Sequence, residues 1–260
     1  MPRRLPLAIV VLAVIGAVFV SLPAIALALR APWGRMAEVL SGPGAGIALR
    51  LSLEVSLAAT LCSVVLGVPL AWVLARGDFR GRAVLRALVV APIILPPVVA
   101  GVGLLMALGR RGVVGTWLDR FFGIQLTFTT AGAIAAATFV SMPLVVLAAE
   151  AGFRGIDRRY EQAAAVMGAR PGYALRRVVL PMVAPQLAAG AVLAWARALG
   201  EFGATITFAG NLQGRTQTVP LAVFQLLQTD QAGAIALSLV LVALSIGVLI
   251  ALRGRITGTA

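Results

Sequence analysis

Six apolar runs, each about 20 residues or longer, divide this chain and restrict it to one kind of fold. A helix of about 20 apolar residues crosses the hydrocarbon core of a bilayer, where open strand edges find no partner. The composition agrees, because 60% of the residues are hydrophobic, 12% are charged and the mean hydropathy is +1.00. We therefore predict an all-α integral membrane protein with six transmembrane helices. Their predicted ranges are 7–29, 52–75, 84–108, 131–152, 182–209 and 232–252.

The first run has two interpretations. Arg3 and Arg4 ahead of an apolar run are typical of a secretory signal peptide. The run is long for the core of such a peptide, and residues 23–31 offer only a weak cleavage pattern, so we favour a retained span. With its outer loop it forms a predicted segment 1–46, and residues 47–255 form the predicted transport domain.

The arginines predict the orientation, because basic residues are enriched in cytoplasmic loops. All 22 basic residues are arginine, and Arg197 falls inside the fifth run. With a cytoplasmic N-terminus, 14 arginines lie inside: Arg3, Arg4, Arg76, Arg80, Arg82, Arg86, Arg154, Arg158, Arg159, Arg170, Arg176, Arg177, Arg253 and Arg255. Seven then lie outside: Arg30, Arg35, Arg50, Arg110, Arg111, Arg120 and Arg215. We therefore expect both termini and the loop 153–181 in the cytoplasm.

The net charge of +13 raises the question of nucleic-acid binding. Nucleic-acid binders carry an exposed basic face with polar support, whereas these arginines flank apolar runs, where membrane lipid and topology account for them. The sequence has a single cysteine, Cys62, and no histidine, so we expect neither an internal disulfide nor a metal site. It also has no Ser/His/Asp set and no phosphate-binding Gly-Lys-Ser/Thr loop. We predict no catalytic residues and no bound cofactor, so another chain must bind ATP if ATP drives this protein.

The loop between the fourth and fifth runs has an ordered pattern, reading EQAAAVMGARPGYALRRVVLP over 161–181. Asp157 can cap a helix over about 158–167. Gly168 suits the left-handed position just past its end, and Pro171 prevents that helix from continuing. A second short helix over about 173–179 would then lead into the fifth run.

Two interpretations of this loop remain open on composition alone. It is either an amphipathic segment resting on lipid headgroups or a docking surface for another protein. Ala163, Ala164 and Ala165 would give such a partner a face with little side-chain bulk.

The spacing in the loop resembles that of ABC-importer permeases, whose pattern is E-A-A, three residues, Gly, nine residues and I-x-L-P. Gln162 and Val178 stand where the pattern has Glu and Ile, and Glu161 lies next to Gln162, which suggests a shifted acidic group. In that family the loop forms a coupling helix that sits in a groove of the ATPase subunit. The resemblance therefore implies a coupling role for Glu161, Gln162, Ala163, Ala164, Gly168, Leu180 and Pro181.

Polar residues and prolines inside the apolar runs indicate a transport path. Charges within a span usually face a partner or water, and Arg197 and Glu201, four residues apart, either fix helix packing or line a path. Adjacent prolines interrupt the third run and indicate a gate or a fixed kink. Threonine either lines a path or bonds to its own backbone. The predicted path or gate residues are Pro96, Pro97, Arg197, Glu201, Thr205 and Asn211.

Three segments are similar to the molybdate ABC-transporter permease. They are ARALGEFGATITFAGN at 196–211, LPPVVAG at 95–101 and the glycines of GRRGVVG at 109–115. Together with the loop, the similarity extends over about 50–225. Sulfate and tungstate permeases share much of the pattern, and the net positive outer segments favour an anion.

The resemblance implies a type I ABC importer permease-like fold with a cytoplasmic coupling helix, in the bacterial inner membrane. It implies a second copy of the chain, two ATP-binding cassette subunits that bind ATP-Mg, and a periplasmic oxyanion-binding protein. A secondary transporter driven by an ion gradient and a purely structural subunit are the alternative classes.

Overall fold

The computed structural model describes residues 6–251, so Arg3, Arg4, Arg253, Arg255 and the predicted domain end at 255 lie outside the described residues. Over this range the chain is helical. The helices are α1 (Leu7–Arg30), α2 (Met36–Ser41), α3 (Pro43–Arg76), α4 (Arg82–Ile94), α5 (Pro97–Leu108), α6 (Gly115–Phe122), α7 (Thr130–Gly155), α8 (Arg159–Val166), α9 (Pro171–Ala174), α10 (Leu180–Leu199), α11 (Gly203–Phe208), α12 (Val219–Leu226) and α13 (Gln231–Ala251).

Helices α3, α7 and α10 form the centre of the bundle. Ser63 on α3 and Ser141 on α7 share a buried hydrogen bond of 3.1 Å, and four residues further along both helices Gly67 packs on Val145. Residue numbers therefore increase in the same direction along both helices, which means that α3 and α7 run parallel. Small residues allow this close approach in a membrane, as at Gly190 of α10, where an added Cβ would lie 2.7 Å from the Cβ of Ala148.

The parallel direction of α3 and α7 requires the intervening chain to cross back between them. We call the end of the bundle that carries the loop after α7 the loop face, and the other end the opposite face. Helices α4 and α5, with 13 and 12 residues, make the return. At 1.5 Å per residue their combined length suffices to cross a bilayer core. The third predicted run is therefore two half-helices, because Pro96 and Pro97 lack backbone donors and end the first of them.

The fifth predicted run is also discontinuous. Helix α10 ends at Leu199, and α11 begins at Gly203 after three non-helical residues. Gly200, the C-cap residue of α10, is a poor helix former, and the Glu201 carboxylate hydrogen-bonds the backbone of the next helix rather than facing outward. The prediction of one continuous helix over 182–209 was wrong at this point.

The remaining predicted runs are confirmed as apolar helices, and within residues 6–251 five helical segments are long and apolar enough to span a membrane. Helix α1 has no buried residue and contacts α13, as expected of a lipid-facing helix. Helix α3 begins at Pro43, nine residues before its predicted start, because proline fits the first turn of a helix. The predicted division between residues 46 and 47 consequently lies inside a continuous helix.

Candidate coupling surface and translocation site

The loop after α7 folds into the short helix that its sequence predicts. Asp157 Oδ1 accepts a hydrogen bond of 2.9 Å from the Arg159 backbone N–H at the start of α8. Gly168 has φ +83°, and just beyond it the Ala169 N–H donates to the Ala164 carbonyl over 3.0 Å. This glycine therefore ends α8 in the left-handed conformation, which satisfies the last carbonyls of the helix.

The second short helix of the loop is not separate from the fifth span. Pro171 starts α9 as its first residue, and a π-helical turn over Leu175–Val179 joins α9 directly to α10. In an α-helix the ring of Pro181 would clash with the carbonyl of Arg177. The wider turn, in which the Leu180 N–H donates to the Leu175 carbonyl, precedes that proline and lets the helix continue. Leu180 and Pro181 thus lie at the start of α10 rather than at a break.

Glu161 fixes α8 to the end of α3. Its Oε1 lies 2.7 Å from Nη2 of Arg76, and both side chains are largely shielded from solvent. The same guanidinium donates to the Ile156 carbonyl over 3.0 Å and lies 5.6 Å from the ring centre of Trp72. The carboxylate of Glu161, next to the permease-like pattern, therefore pairs with an arginine of this same chain. Gln162, which stands at the acidic position of the pattern, is exposed.

The three alanines of α8 divide between its two sides, and Ala165, like Val166, is exposed. Ala164 is buried at 4% exposure, whereas Ala163 is exposed. Val166 and Met167, at 89% and 83%, are the most exposed hydrophobic residues of the loop. An adjoining open cleft of about 440 Å³ is lined by Ala164, Met167, Gly168, Ala169, Arg170, Tyr173 and Val178.

A buried acid at the loop face was missed by the sequence analysis. Glu150 on α7 is 4% exposed and binds two arginines, Arg86 of α4 and Arg154 one turn later on α7, the latter over 2.8 Å. The sequence signal for this site was Glu150 within the fourth apolar run, followed four residues later by Arg154, because such a spacing places both side chains on one face of a helix. This network joins α4 to α7 at the loop face.

The predicted pair of charges lies at the gap between α10 and α11, with Arg197 in the last turn of α10 and Glu201 in the gap. Arg197 Nη1 lies 2.5 Å from Glu201 Oε2, while Glu201 Oε1 accepts from the Ala204 N–H over 2.8 Å. Glu201 is 2% exposed, but about a third of the Arg197 side chain is accessible. The carboxylate therefore both pairs with the arginine and caps α11, where a negative charge is stabilised.

Arg197 faces a small crevice at the break between α4 and α5. The crevice has a volume of about 150 Å³ and is otherwise lined by Pro92, Ile93, Leu95, Pro97, Val140 and Leu144. The two breaks also meet directly, because an added Cβ on Gly203 would lie 2.5 Å from Cβ of Pro97. The fold thus brings Pro96, Pro97, Arg197 and Glu201 to one place.

Thr205 and Asn211 lie apart from this crevice. Thr205 is 1% exposed within α11. Asn211 lines a larger cavity of about 440 Å³ near the opposite face, together with Gln213, Gln217 and Gln225. At its rim, hydrogen bonding and attraction from Glu38 raise the pKa of Arg35 above its usual value. The six predicted path residues therefore occupy more than one environment, and their roles remain predictions.

The described residues form a helical membrane bundle with two meeting half-helices and a short helix projecting from one end. Residues 63–254 match the model of the family described as binding-protein-dependent transport system inner membrane component. The chain belongs to this family.

Curated relatives align with most of the length of this chain. The molybdenum transport system permease protein ModB of Mycobacterium tuberculosis is 45% identical over 98% of this chain and 96% of its own. The sulfate transport system permease protein CysT of Escherichia coli is 34% identical over 82% of this chain and 77% of its own. A solved bacterial ABC transporter for alginate import has a similar fold, with TM-score 0.75 and 18% identity over 94% of this chain and 91% of that chain.

Proposed function

We propose that this chain is the membrane-spanning subunit of an ATP-driven importer for molybdate or a similar tetrahedral oxyanion. Two copies would enclose the path, two ATPase subunits would bind ATP-Mg at the loop face, and a periplasmic binding protein would deliver the anion at the opposite face. Both termini would then lie in the cytoplasm. The chain itself performs no covalent chemistry in this proposal.

The attachment of α8 is the single observation that carries the proposal. Its exposed residues Val166 and Met167 offer an apolar contact for the ATPase, while its inward side is tied to α3 through Arg76 and Glu161. The same segment continues through the π turn into α10, which carries Arg197. A displacement of α8 on ATP binding would therefore be transmitted to α3 through the ion pair and to Arg197 through α10.

Arg197 supports an anionic substrate. It is the charged residue that lines the crevice at the meeting half-helices, and its charge is only partly accessible. Its pairing with Glu201 weakens the attraction for a passing dianion, which favours release over retention in a transport path. A cation would meet the guanidinium and no free carboxylate among the residues lining that crevice.

The relatives support molybdate as the first substrate to test. The 45% identical proteins are named for molybdenum transport, and the 34% identical one is named for sulfate. Sulfate is accordingly the second candidate, and tungstate, which shares charge and shape with molybdate, is the third.

The proposal is tested by purifying the chain with its neighbouring ATPase and binding protein and measuring ATP hydrolysis and anion uptake in liposomes. We expect both activities to rise with loaded binding protein, and the most effective of molybdate, tungstate and sulfate names the substrate. Uptake driven by an ion gradient without ATP would instead support a secondary transporter. Absence of any transport in the assembled complex would support a structural subunit.

A further inference from the structure

A short amphipathic helix at the opposite face exposes an aromatic surface. In α6 the rings of Trp117 and Phe121 stack with centroids 5.2 Å apart. These side chains are 63% and 62% exposed, and the adjacent Phe122 is 73% exposed. Aromatic side chains of this size are rarely left in water without a partner.

Backbone hydrogen bonds fix this helix beside the end of α5. The N–H groups of Val113 and Val114 donate to the carbonyls of Met106 and Ala107 over 3.0 and 2.8 Å, so the chain folds back along the last turn of α5. A Cβ on Gly115 would lie 1.9 Å from the Gly109 carbonyl oxygen, so this close approach requires glycine. Since α5 is the outer half of the span that α4 and α5 form together, α6 begins near the depth where the hydrocarbon core ends.

The charges around α6 are net positive. Asp119 is held by Arg110 and Gln125 at 3.4 and 3.0 Å. Arg111 and Arg120 are exposed and make no ion pair with any residue of the range 6–251. Their guanidinium groups are therefore available to anionic groups at the height of the lipid phosphates.

We infer that α6 is an interfacial anchor whose partner is the phospholipid of the outer leaflet. Trp117 and Phe121 lie at the boundary between headgroups and acyl chains, where aromatic rings are enriched, and Arg111 and Arg120 contact anionic headgroups. On the adjoining helix α5, Val102 and Met106 are exposed as well. The anchor holds the outer half-helix of the broken span, and the inference does not depend on the identity of the transported anion.

The test uses the assembled transporter in nanodiscs of phosphatidylethanolamine and phosphatidylglycerol, with a fraction of the lipids brominated near the headgroup or deep in the acyl chain. Tryptophan quenching is compared between the parent, Trp117→Phe and the matched control Trp33→Phe, which removes another exposed tryptophan. We expect the parent to show a tryptophan fluorescence component that is quenched most by bromines near the headgroup, and we expect this component to be absent in Trp117→Phe. Replacing phosphatidylglycerol by phosphatidylcholine should reduce that component in the parent and leave it unchanged in Arg111→Gln/Arg120→Gln.

Three results would overturn the inference. The Trp117 component could be quenched by iodide in water and not by brominated lipid, which would place it in solvent. It could be shielded from both quenchers, which would mean that a second copy covers α6. It could become shielded only on addition of the binding protein, which would assign the surface to that protein.

Discussion

Arg197 and Glu201 have unequal surroundings, and the inequality predicts how each substitution behaves. Removing Arg197 leaves a carboxylate at 2% exposure with the Ala204 N–H as its remaining partner, whereas Glu201→Gln keeps that hydrogen bond and removes the charge. Breaking a buried pair from one side costs about 3–5 kcal/mol, and because Arg197 is partly exposed we expect about 2 kcal/mol here. Arg197→Met should therefore destabilise the folded protein more than Glu201→Gln.

Thermal unfolding of the purified transporter in detergent measures this difference. The double variant Arg197→Met/Glu201→Gln should regain stability relative to Arg197→Met, because no uncompensated charge remains. Anion uptake should stay low in the double variant, since the positive group is absent. Additive losses of stability would contradict a coupled pair.

Gly168 is the second residue whose conformation predicts a phenotype. At φ +83° a β-branched residue is strained, and a left-handed L-residue costs about 1–2 kcal/mol. No atom of the described residues lies within 4 Å of an added Cβ, so the cost is conformational rather than steric. We expect Gly168→Val to uncouple ATP hydrolysis from uptake and Gly168→Asn, which tolerates this conformation, to retain most coupling.

Gly172 provides the matched control for that prediction. It lies in the same loop with equally open surroundings but without a positive φ. Gly172→Ala should leave the ratio of ATP hydrolysed to anion transported unchanged. Normal coupling in Gly168→Val would count against the coupling role of α8.

Among the helices, the contact between α5 and α11 distinguishes two nearby glycines. A Cβ on Gly101 would lie 2.6 Å from the Thr207 Cβ, whereas no atom within the range 6–251 lies within 4 Å of a Cβ on Gly103. Overpacking at a tight contact costs about 1–3 kcal/mol. Gly101→Ala should therefore lower both thermal stability and uptake, while Gly103→Ala in the same helix should leave both near the parent level.

Helices α3 and α8 are connected by the ion pair between Arg76 and Glu161. We expect that breaking this pair impairs coupling and leaves the fold intact. Replacing Arg76 by Gln removes the attraction to Glu161 but keeps a donor for the Ile156 carbonyl. We expect lower stimulated uptake per ATP hydrolysed, with the ATPase still bound. Glu161→Gln should give the same defect, and the double variant should be no worse than either single one. Loss of ATPase binding in these variants would mean that Glu161 contacts the ATPase instead.

The sequence predicted element type well and element continuity poorly, for a physical reason. Apolar length identifies a membrane helix because lipid imposes it, so the runs at α1, α7 and α13 were confirmed. The gap at 200–202 depends on the Glu201 carboxylate turning back to cap α11, and a local pattern of four-residue spacing cannot reveal that. Likewise, Gly168 was predictable from local backbone chemistry, whereas the ion pair between Arg76 and Glu161 depends on tertiary packing across 85 positions of the chain.

The whole molecule has the exposed residues Val166 and Met167 at the loop face and its polar cavity at the opposite face. This separation predicts that partner binding at the two faces can be disrupted independently. Met167→Glu places a charge on the 83% exposed side chain beside the loop-face cleft. An ATPase that buries this methionine would have to desolvate the new carboxylate, at a cost of several kcal/mol. We therefore expect the ATPase to be lost on co-purification while the membrane subunit remains monodisperse.

The matched control for this last prediction is Leu212→Glu, which puts the same charge on a 40% exposed leucine near the opposite face. Its ATPase should co-purify as in the parent, because residue 212 lies at the other end of the bundle. If Met167→Glu retained its ATPase, the apolar face of α8 would not be the contact. The headgroup-binding interpretation of the loop would then gain support, because Arg158, Arg159, Arg176 and Arg177 are exposed around it. Retention of the ATPase by Leu212→Glu and its loss from Met167→Glu would instead locate the energy-coupling contact at the loop face.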